Sequence, residues 1–222
     1  MEQGQHIALF GASGRTGREI LKQALTLKYK VTALVRNKAC ISLTHPNLTL
    51  IEGTPERMDD VEKTIANATC VMVALNISRR SDFPWAEVIT PEYLLRNAMK
   101  NIVLAMETIR VTRIITISAW GVYDSYQDID PVLKFLINYS KIGITYRGHE
   151  EQEQVLRNSD LNWTAVRPVN LKNNSQFKQV IERHNNRNKL KMTLGRNDLA
   201  KYMLDILNKP QYFKQTPAIS NG

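Results

Sequence analysis

Three glycines between an apolar segment and an amphipathic segment constrain the fold of this chain more than any other feature. They occupy positions 11, 14 and 17, directly after the apolar run His6–Phe10 and at the start of residues 15–28, where apolar side chains recur at helical spacing. Glycine at such positions permits a tight turn, a close approach to another backbone or a ligand, and close packing of helix on strand. The pattern predicts a strand, a glycine turn and a helix in that order.

The alternation of short apolar runs with helical stripes continues to residue 117. Further strands are predicted at residues 31–35, 48–51, 70–74 and 113–117, and further helices at residues 58–68 and 91–109. Only a parallel sheet with right-handed crossovers accommodates this order of elements. We therefore expect an α/β protein with a Rossmann-type, doubly wound parallel sheet.

The remainder of the chain is less regular. It predicts a polar helix at residues 146–158, a strand at 162–166, and helices at 175–184 and 197–207. No repeat or low-complexity linker divides the sequence. We expect one domain over residues 1–222, in which about residues 168–222 form a small irregular annex on the substrate side.

The net charge of +9 is unevenly distributed. Residues 171–222 contain ten Lys or Arg and three acidic residues, and thus carry +7 of it. The region lacks the interleaved aromatic residues, zinc-ligand spacing and helix-turn-helix pattern that accompany many nucleic-acid sites. We expect a solvated basic face that helps to attract an anionic ligand, and no binding to nucleic acid.

Other features point to a protein of the reducing cytoplasm. Cys40 and Cys70 have no companion cysteine, and we expect both to be buried or partly buried free thiols. No apolar run has the length of a membrane span, and the N-terminus lacks the pattern of a signal segment. We expect neither a metal site nor a membrane partner.

The glycine turn has the features of a phosphate-binding loop. It comprises Gly11, Ala12, Ser13, Gly14, Arg15, Thr16 and Gly17. A helix that begins within such a turn presents free N–H groups and the positive end of its dipole to a pyrophosphate. Its position between a strand and a helix predicts a dinucleotide site, although a glycine-rich turn without a ligand is the alternative.

Arg36 favours NADP(H) over NAD(H). It follows the second predicted strand, where NAD-selective proteins carry an acidic residue that binds the ribose hydroxyls and where an arginine accommodates a 2′-phosphate. Together with Arg15 and Lys38 it would form a small cationic cradle. The alternative is a surface arginine without a ligand.

The sequence also resembles a known family, the atypical short-chain dehydrogenases/reductases that include NmrA-like proteins and biliverdin reductase B, a flavin reductase. The matching segments are residues 7–17, 31–36, 101–103, 117–119 and 161–168, in the family's order. The resemblance implies a cofactor path along Ala74, Leu75 and Asn76. It further implies that Ser118 and Ala119 lie beside the nicotinamide, and that Pro168 and Val169 close over its carboxamide end.

Two departures from the family pattern bear on the site. Relatives carry Gly-Asp after the third strand, with the Asp near the adenine, whereas this chain has Thr54 there. The Tyr-x-x-x-Lys pair is also missing, with Thr145 and His149 at the positions that the resemblance assigns to the tyrosine and the lysine. Without a lysine-assisted tyrosine, ordinary alcohol dehydrogenase chemistry is disfavoured.

The groups that remain suit reduction of a planar acceptor such as a flavin or quinone. Such a ring delocalises charge and takes its proton from solvent, so positioning matters most. Ser118 can donate a hydrogen bond, His149 can relay a proton near neutral pH, and Trp120 or Tyr123 can stack on the acceptor. The structural alternatives are a capping hydroxyl for Ser118, a solvated helix residue for His149, and loop packing for the two aromatic residues.

Two further functions remain open at this stage. An NmrA-like redox sensor would bind NADP(H) without catalysis and use the basic C-terminal region to meet a protein partner or a second copy of the chain. Isomerase or dehydratase chemistry is the third alternative. An open cavity beside Ser118 and His149 would favour a reductase, and a cavity filled by side chains would favour a sensor.

Overall fold

The computed structural model describes residues 4–183 and 190–222. In these ranges the strands are β1 (His6–Phe10), β2 (Lys30–Val35), β3 (Leu48–Glu52), β4 (Cys70–Val73), β5 (Arg113–Ile117), β6 (Asn162–Pro168), β7 (Leu171–Lys172), β8 (Val180–Arg183), β9 (Leu194–Gly195) and β10 (Ala218–Asn221). The helices are α1 (Arg15–Thr26), α2 (Met58–Ile65), α3 (Leu94–Ile109), α4 (Pro131–Tyr139), α5 (Ile142–Arg157) and α6 (Arg196–Asp205).

One large sheet has the strand order β3-β2-β1-β4-β5-β6-β10-β8. Its pairs are parallel except for β8, which runs antiparallel to β10. Chain order reverses beside β1, because β2 lies on one side of it and β4 on the other. The predicted doubly wound α/β fold is confirmed, and its topological switch point lies at the carboxyl end of β1.

Side chains of β1 alternate between the two faces of the sheet, as strand geometry requires. Ile7 and Leu9 pack in the core with α1 and α6, whereas Ala8 and Phe10 pack in a second core with α2, α3 and α5. Both faces are therefore covered, which explains why the strands appear in the sequence as continuous apolar runs.

The C-terminal segment differs most from the predictions. The helix expected at residues 175–184 is wrong for its described part, which ends in β8, and His184 lies outside the described residues. Residues 180–183 instead pair with Asn221, Ser220, Ile219 and Ala218 of β10, so an available sheet edge overrides the weak helical pattern. The region expected to be an annex joins the main sheet through β10.

The predictions also missed one helix and placed the start of another too late. Helix α4 was not predicted, although Asp130 caps it by accepting from the amides of Val132 at 2.9 Å and Leu133 at 3.0 Å. Its Asp-Pro start is an identifiable N-terminal signal, with proline in the first turn. Helix α5 begins at Ile142, four residues earlier than expected.

The cysteines are free thiols in unlike surroundings. Cys70 is buried, and burial raises the pKa of its thiol to about 12. Cys40 is exposed, contrary to the expectation of burial, because it ends a one-turn surface helix after β2.

Candidate functional site

The glycine turn crosses the switch point, where its backbone meets the end of β4. Gly11 has φ +88°, and a Cβ at this position would lie 2.5 Å from the carbonyl oxygen of Ala74. A Cβ on Gly17 would overlap the carbonyl oxygen of Gly11. A Cβ on Gly14 would meet only that same oxygen, at 3.3 Å. The first and third glycines are thus required by the fold, whereas the side of Gly14 is open.

Helix α1 begins without any acidic residue or side-chain cap at its N-terminus. Gly14 is the N-cap residue, and no hydrogen bond between described residues uses the amides of Arg15 and Thr16. Free amides and an uncompensated helix dipole form an anion site, so the loop fits a pyrophosphate.

A first cavity of about 460 Å³ extends from this loop towards the ends of β2 and β3. It brings together most of the residues predicted for the nucleotide: Gly11, Ser13, Gly14, Arg15, Thr16, Arg36, Thr54, Ala74, Leu75 and Asn76. Ala12 and Gly17 are buried below the loop and do not line the cavity. They can support the loop, and Ala12 packs in the α1 core.

Arginines surround this cavity. Arg36 is exposed on its wall and forms no hydrogen bond or ion pair with a described residue, so its guanidinium is available to an anion. Arg15 lies 3.4 Å from Asp82 in a solvent-exposed pair that contributes little stability. Lys38, which was expected to complete the cradle, is not among the lining residues.

Arg196 is a lining residue that the sequence did not identify. It begins α6, donates to Asn173 Oδ1 at 2.8 Å, and lines both this cavity and the one described below. Burial and the nearby charge of Arg15 lower the pKa of Arg196. The basic character of the C-terminal region was the only available signal, and the structure brings one of its arginines to the site.

Thr54 lies in the predicted part of the site, although relatives in the family carry Asp at this position. It lines the first cavity, and its amide donates to Asp60 Oδ2 at 3.1 Å. Gly53 packs directly on this carboxylate. Asp60 therefore holds the loop by its side chain, while the hydroxyl oxygen of Thr54 accepts from the Glu56 amide at 3.4 Å.

A second cavity, of about 680 Å³, adjoins the first. Residues common to both linings are Arg15, Thr16, Ala74, Leu75, Asn76, Ser78, Leu171 and Arg196. The walls of the second cavity include the remaining predicted residues: Ser118, Ala119, His149, Pro168 and Val169. Main-chain bonds set them side by side, since Ser118 N donates to Val166 O at 2.7 Å and Trp120 N to Pro168 O at 3.0 Å.

The Ser118 hydroxyl is held by a buried ion pair. It donates to Glu153 Oε1 at 2.6 Å, and the same carboxylate accepts from Arg167 Nε at 3.0 Å and Arg167 Nη2 at 2.8 Å. Ser118, Glu153 and Arg167 are all buried. The expected role of Ser118 as a donor to a ligand is therefore wrong in this arrangement, because its one proton is already committed to the carboxylate.

His149 is buried rather than solvated. It is 4% exposed, and burial lowers its pKa to about 4, despite an opposing effect of Glu153. The imidazole is thus neutral at pH 7, which corrects the expectation that it relays protons by titrating near neutrality. Its Nδ1 lies 3.0 Å from Gln152 Nε2.

The aromatic residues divide between two environments. Trp120 lines the second cavity, but Tyr123 does not, since its hydroxyl donates to Glu150 O at 2.9 Å on the outer side of α5. The stacking role expected of Tyr123 is therefore wrong. Tyr146, which was not considered, lines the cavity beside Thr145, and its hydroxyl donates to Trp120 O at 3.2 Å. Burial raises the pKa of Tyr146 to about 12, with a further contribution from Asp130.

Among residues 4–183 and 190–222, no group of His, Cys, Asp or Glu side chains is arranged to hold a metal ion. No helix of these ranges is long and apolar enough to cross a membrane.

Solved structures with the same fold include a short-chain dehydrogenase/reductase and an anaerobillin reductase. A short-chain dehydrogenase/reductase from Veillonella parvula in complex with NADP superposes with a TM-score of 0.76 and 21% identity over 98% of this chain and 94% of that chain. ChuY, an anaerobillin reductase from Escherichia coli O157:H7, superposes with a TM-score of 0.78 and 18% identity over 98% and 97%. At these sequence identities the structural likeness shows a shared fold and nothing further.

A curated protein of Arabidopsis thaliana, uncharacterised and chloroplastic, is 27% identical over 177 residues. The match covers 77% of this chain and 61% of that protein, so the chain spans less than two thirds of its relative's length.

A sequence model of NAD(P)H-binding proteins matches residues 11–210, which include the glycine turn, α6 and all residues that line the two cavities except Phe10. The expected membership of an NAD(P)H-binding family is confirmed, and the chain belongs to this family.

Proposed function

We propose that this protein is an NADPH-dependent reductase that transfers a hydride to a planar acceptor, such as a flavin or quinone, bound in the second cavity. The observation that carries the proposal is an open cavity lined by Ser118, Trp120 and His149 and continuous with the nucleotide groove. When bound, NADPH supplies a hydride, and with one proton from solvent the acceptor leaves in its two-electron-reduced form. A non-catalytic sensor does not need this second space.

The residues that line the two cavities support binding of the dinucleotide across both of them. The amides of the glycine turn would face the pyrophosphate, and the unpaired guanidinium of Arg36 would suit a 2′-phosphate. Ala74, Leu75 and Asn76 line the passage between the two cavities, so they would lie along the cofactor. In the second cavity Ser118 and Ala119 would lie beside the nicotinamide, with Pro168 and Val169 over its carboxamide end.

The titratable groups of the second cavity disfavour reduction of simple carbonyl compounds. A nascent alkoxide needs a nearby acid, yet the pKa of Tyr146 is raised to about 12 and its hydroxyl is bonded to a main-chain carbonyl. His149 is neutral at pH 7 because its pKa is about 4. An acceptor that delocalises the incoming charge needs no such acid, and a flavin or quinone meets that condition.

The direct test is consumption of NADPH against a panel of flavins, quinones and aldehydes. We expect oxidation with at least one flavin or quinone and none with aldehydes. If the protein binds NADPH tightly but oxidises it with no acceptor, the redox-sensor alternative replaces the reductase.

Arg36→Ala is expected to remove the preference for NADPH. One well-placed charged contact contributes about 1.5–3 kcal/mol, so the wild type should bind NADPH at least about tenfold more tightly than NADH. The variant should lose most of this difference while NADH binding stays nearly unchanged. Fluorescence titration measures both affinities, and Lys63→Ala, an exposed cation outside the cavities, is the matched control. Equal affinities in the wild type would contradict the assignment.

Ser118→Ala and His149→Ala are each expected to lower turnover by about ten- to a hundredfold. Positioning of the acceptor supplies most of the acceleration, so no single polar group is indispensable. Steady-state kinetics with saturating NADPH measures the loss, and His149→Ala should leave the NADPH affinity nearly unchanged. Complete loss of activity with NADPH still bound would show that one of these side chains is an essential acid.

A further inference from the structure

Two polar side chains of α5 lie behind the second cavity without lining it. Gln152 and Glu153 are both 0% exposed, and each contacts a residue that does line the cavity. Burying an amide and a carboxylate is costly unless their hydrogen bonds are made. The Glu153 carboxylate and the Gln152 Nε2 group have such partners, whereas Gln152 Oε1 is buried without one among the described residues.

Gln152 determines which nitrogen of His149 carries the proton. Its Nε2 donates one hydrogen to Ile117 O at 2.6 Å and lies 3.0 Å from His149 Nδ1. Because an amide nitrogen only donates, Nδ1 must accept, and the single proton of the neutral ring is on Nε2. No described residue forms a hydrogen bond with His149 Nε2. This atom is not fully buried, so its N–H is available to a ligand in the cavity that His149 lines.

Glu153 fixes the hydrogen-bonding role of the Ser118 hydroxyl, which is opposite to the donor role of His149. A carboxylate flanked by Arg167 only accepts, and the Ser118 hydroxyl lies 2.6 Å from its Oε1. The serine proton therefore points away from the cavity, and only the lone pairs of Oγ remain for a ligand.

We propose that Gln152 and Glu153 are positioning residues that make His149 a fixed donor and Ser118 a fixed acceptor, so that the cavity selects a planar acceptor with a ring amide, C=O beside N–H, on one edge. The inference rests on the proposed function and narrows its substrate class. The pyrimidine edge of a flavin carries both groups, whereas a simple quinone has carbonyls alone. A quinone would place a carbonyl against the Ser118 lone pairs and leave that buried oxygen unpaired.

The first test reads the tautomer of His149 directly. Side-chain ¹⁵N spectra of histidine-labelled protein at pH 7, assigned by comparison with His149→Asn, should show a neutral ring protonated on Nε2. Gln152→Leu removes the donor and should give a mixture of tautomers. Gln154→Leu makes the same change on the exposed side of α5 and should leave the spectrum as in the wild type. A ring protonated on Nδ1, or on both nitrogens, in the wild type would overturn the proposal.

The second test measures ligand selectivity in the NADP⁺-loaded protein, where no hydride is transferred. Lumiflavin should bind at least about tenfold more tightly than 3-methyllumiflavin, which lacks the ring N–H, because one buried acceptor is then left unpaired. In Ser118→Ala the ratio should approach one. Glu153→Gln should also reduce it, and if that variant fails to fold, Ser118→Ala tests the same contact.

The outcomes separate this inference from the proposed function. Equal affinities for the two flavins in the wild type, or tighter binding of menadione than of lumiflavin, would overturn the amide selection while leaving a reductase intact. Binding of none of these planar ligands would overturn both the selection and the proposed function, although the ¹⁵N spectra would still report whether Gln152 sets the tautomer.

Discussion

Gly14→Val is expected to abolish binding of both NADPH and NADH while leaving the fold of the unliganded protein intact. Gly14 has φ −72° and ψ 164°, an extended conformation that valine adopts readily. A Cβ there would meet only Gly11 O, at 3.3 Å, so little has to move within the protein. The branched side chain would instead fill the space in front of the free α1 amides, where the pyrophosphate is proposed to bind.

Titration with each dinucleotide and thermal unfolding of the unliganded protein together test this expectation. Gly17→Ala is the contrasting variant, because its Cβ would overlap the carbonyl oxygen of Gly11 and the turn itself would have to move. It should lower the unfolding temperature, whereas Gly14→Val should not. Retained binding of either cofactor by Gly14→Val would place the pyrophosphate elsewhere.

The second large expected effect is a loss of stability of about 3 kcal/mol as the pH falls from 7 to 4. The folded protein holds His149 neutral with a pKa of about 4, whereas an unfolded chain has a histidine pKa near 6.5. Between these values only the unfolded state binds the proton, so the free energy of unfolding decreases as pH is lowered. A difference of about 2.5 pKa units corresponds to about 3 kcal/mol at 1.36 kcal/mol per unit.

Urea unfolding of the wild type and of His149→Asn, over a series of pH values, isolates this contribution. The asparagine can still accept from Gln152 but does not titrate. Other ionisable groups act in both proteins, so the difference between the two curves reports His149 alone. Parallel curves would show that the imidazole is accessible to protons in the folded state.

This pH dependence is linked to the tautomer that Gln152 imposes. A second proton on His149 would have to be placed on Nδ1, against an amide that already donates there. The ring therefore serves the cavity as a constant donor over the physiological range. Activity should show no step from His149 between about pH 5.5 and 8.

Local patterns were sufficient for the first half of the fold. Strands buried on both faces appear as continuous apolar runs, and the helices between them carry an apolar stripe. The glycine turn is recognisable because its requirements, positive φ at Gly11 and close backbone packing at Gly17, arise within a few residues. Arg36 could be identified because it directly follows β2. Most of the predicted cofactor-binding residues therefore line the first cavity.

The second cavity could be predicted only in part. The resemblance placed Ser118 and His149 in one region, and both line the cavity. The same sequence suggested that α5 is simply polar, because Glu and Gln recur along it. Burial of Gln152 and Glu153 depends on partners that are remote in sequence, Ile117 and Arg167, and no local pattern reports such pairings.

The sequence by itself therefore determined the doubly wound sheet and the position of the dinucleotide loop. These depend on periodic burial and on backbone constraints that neighbouring residues express. Only the tertiary structure decided that Arg196 reaches both cavities, that β10 and β8 extend the sheet, and that Glu153 and Gln152 are buried against Ser118 and His149. Each of these depends on a contact between distant segments, whose energy exists only once the chain has folded.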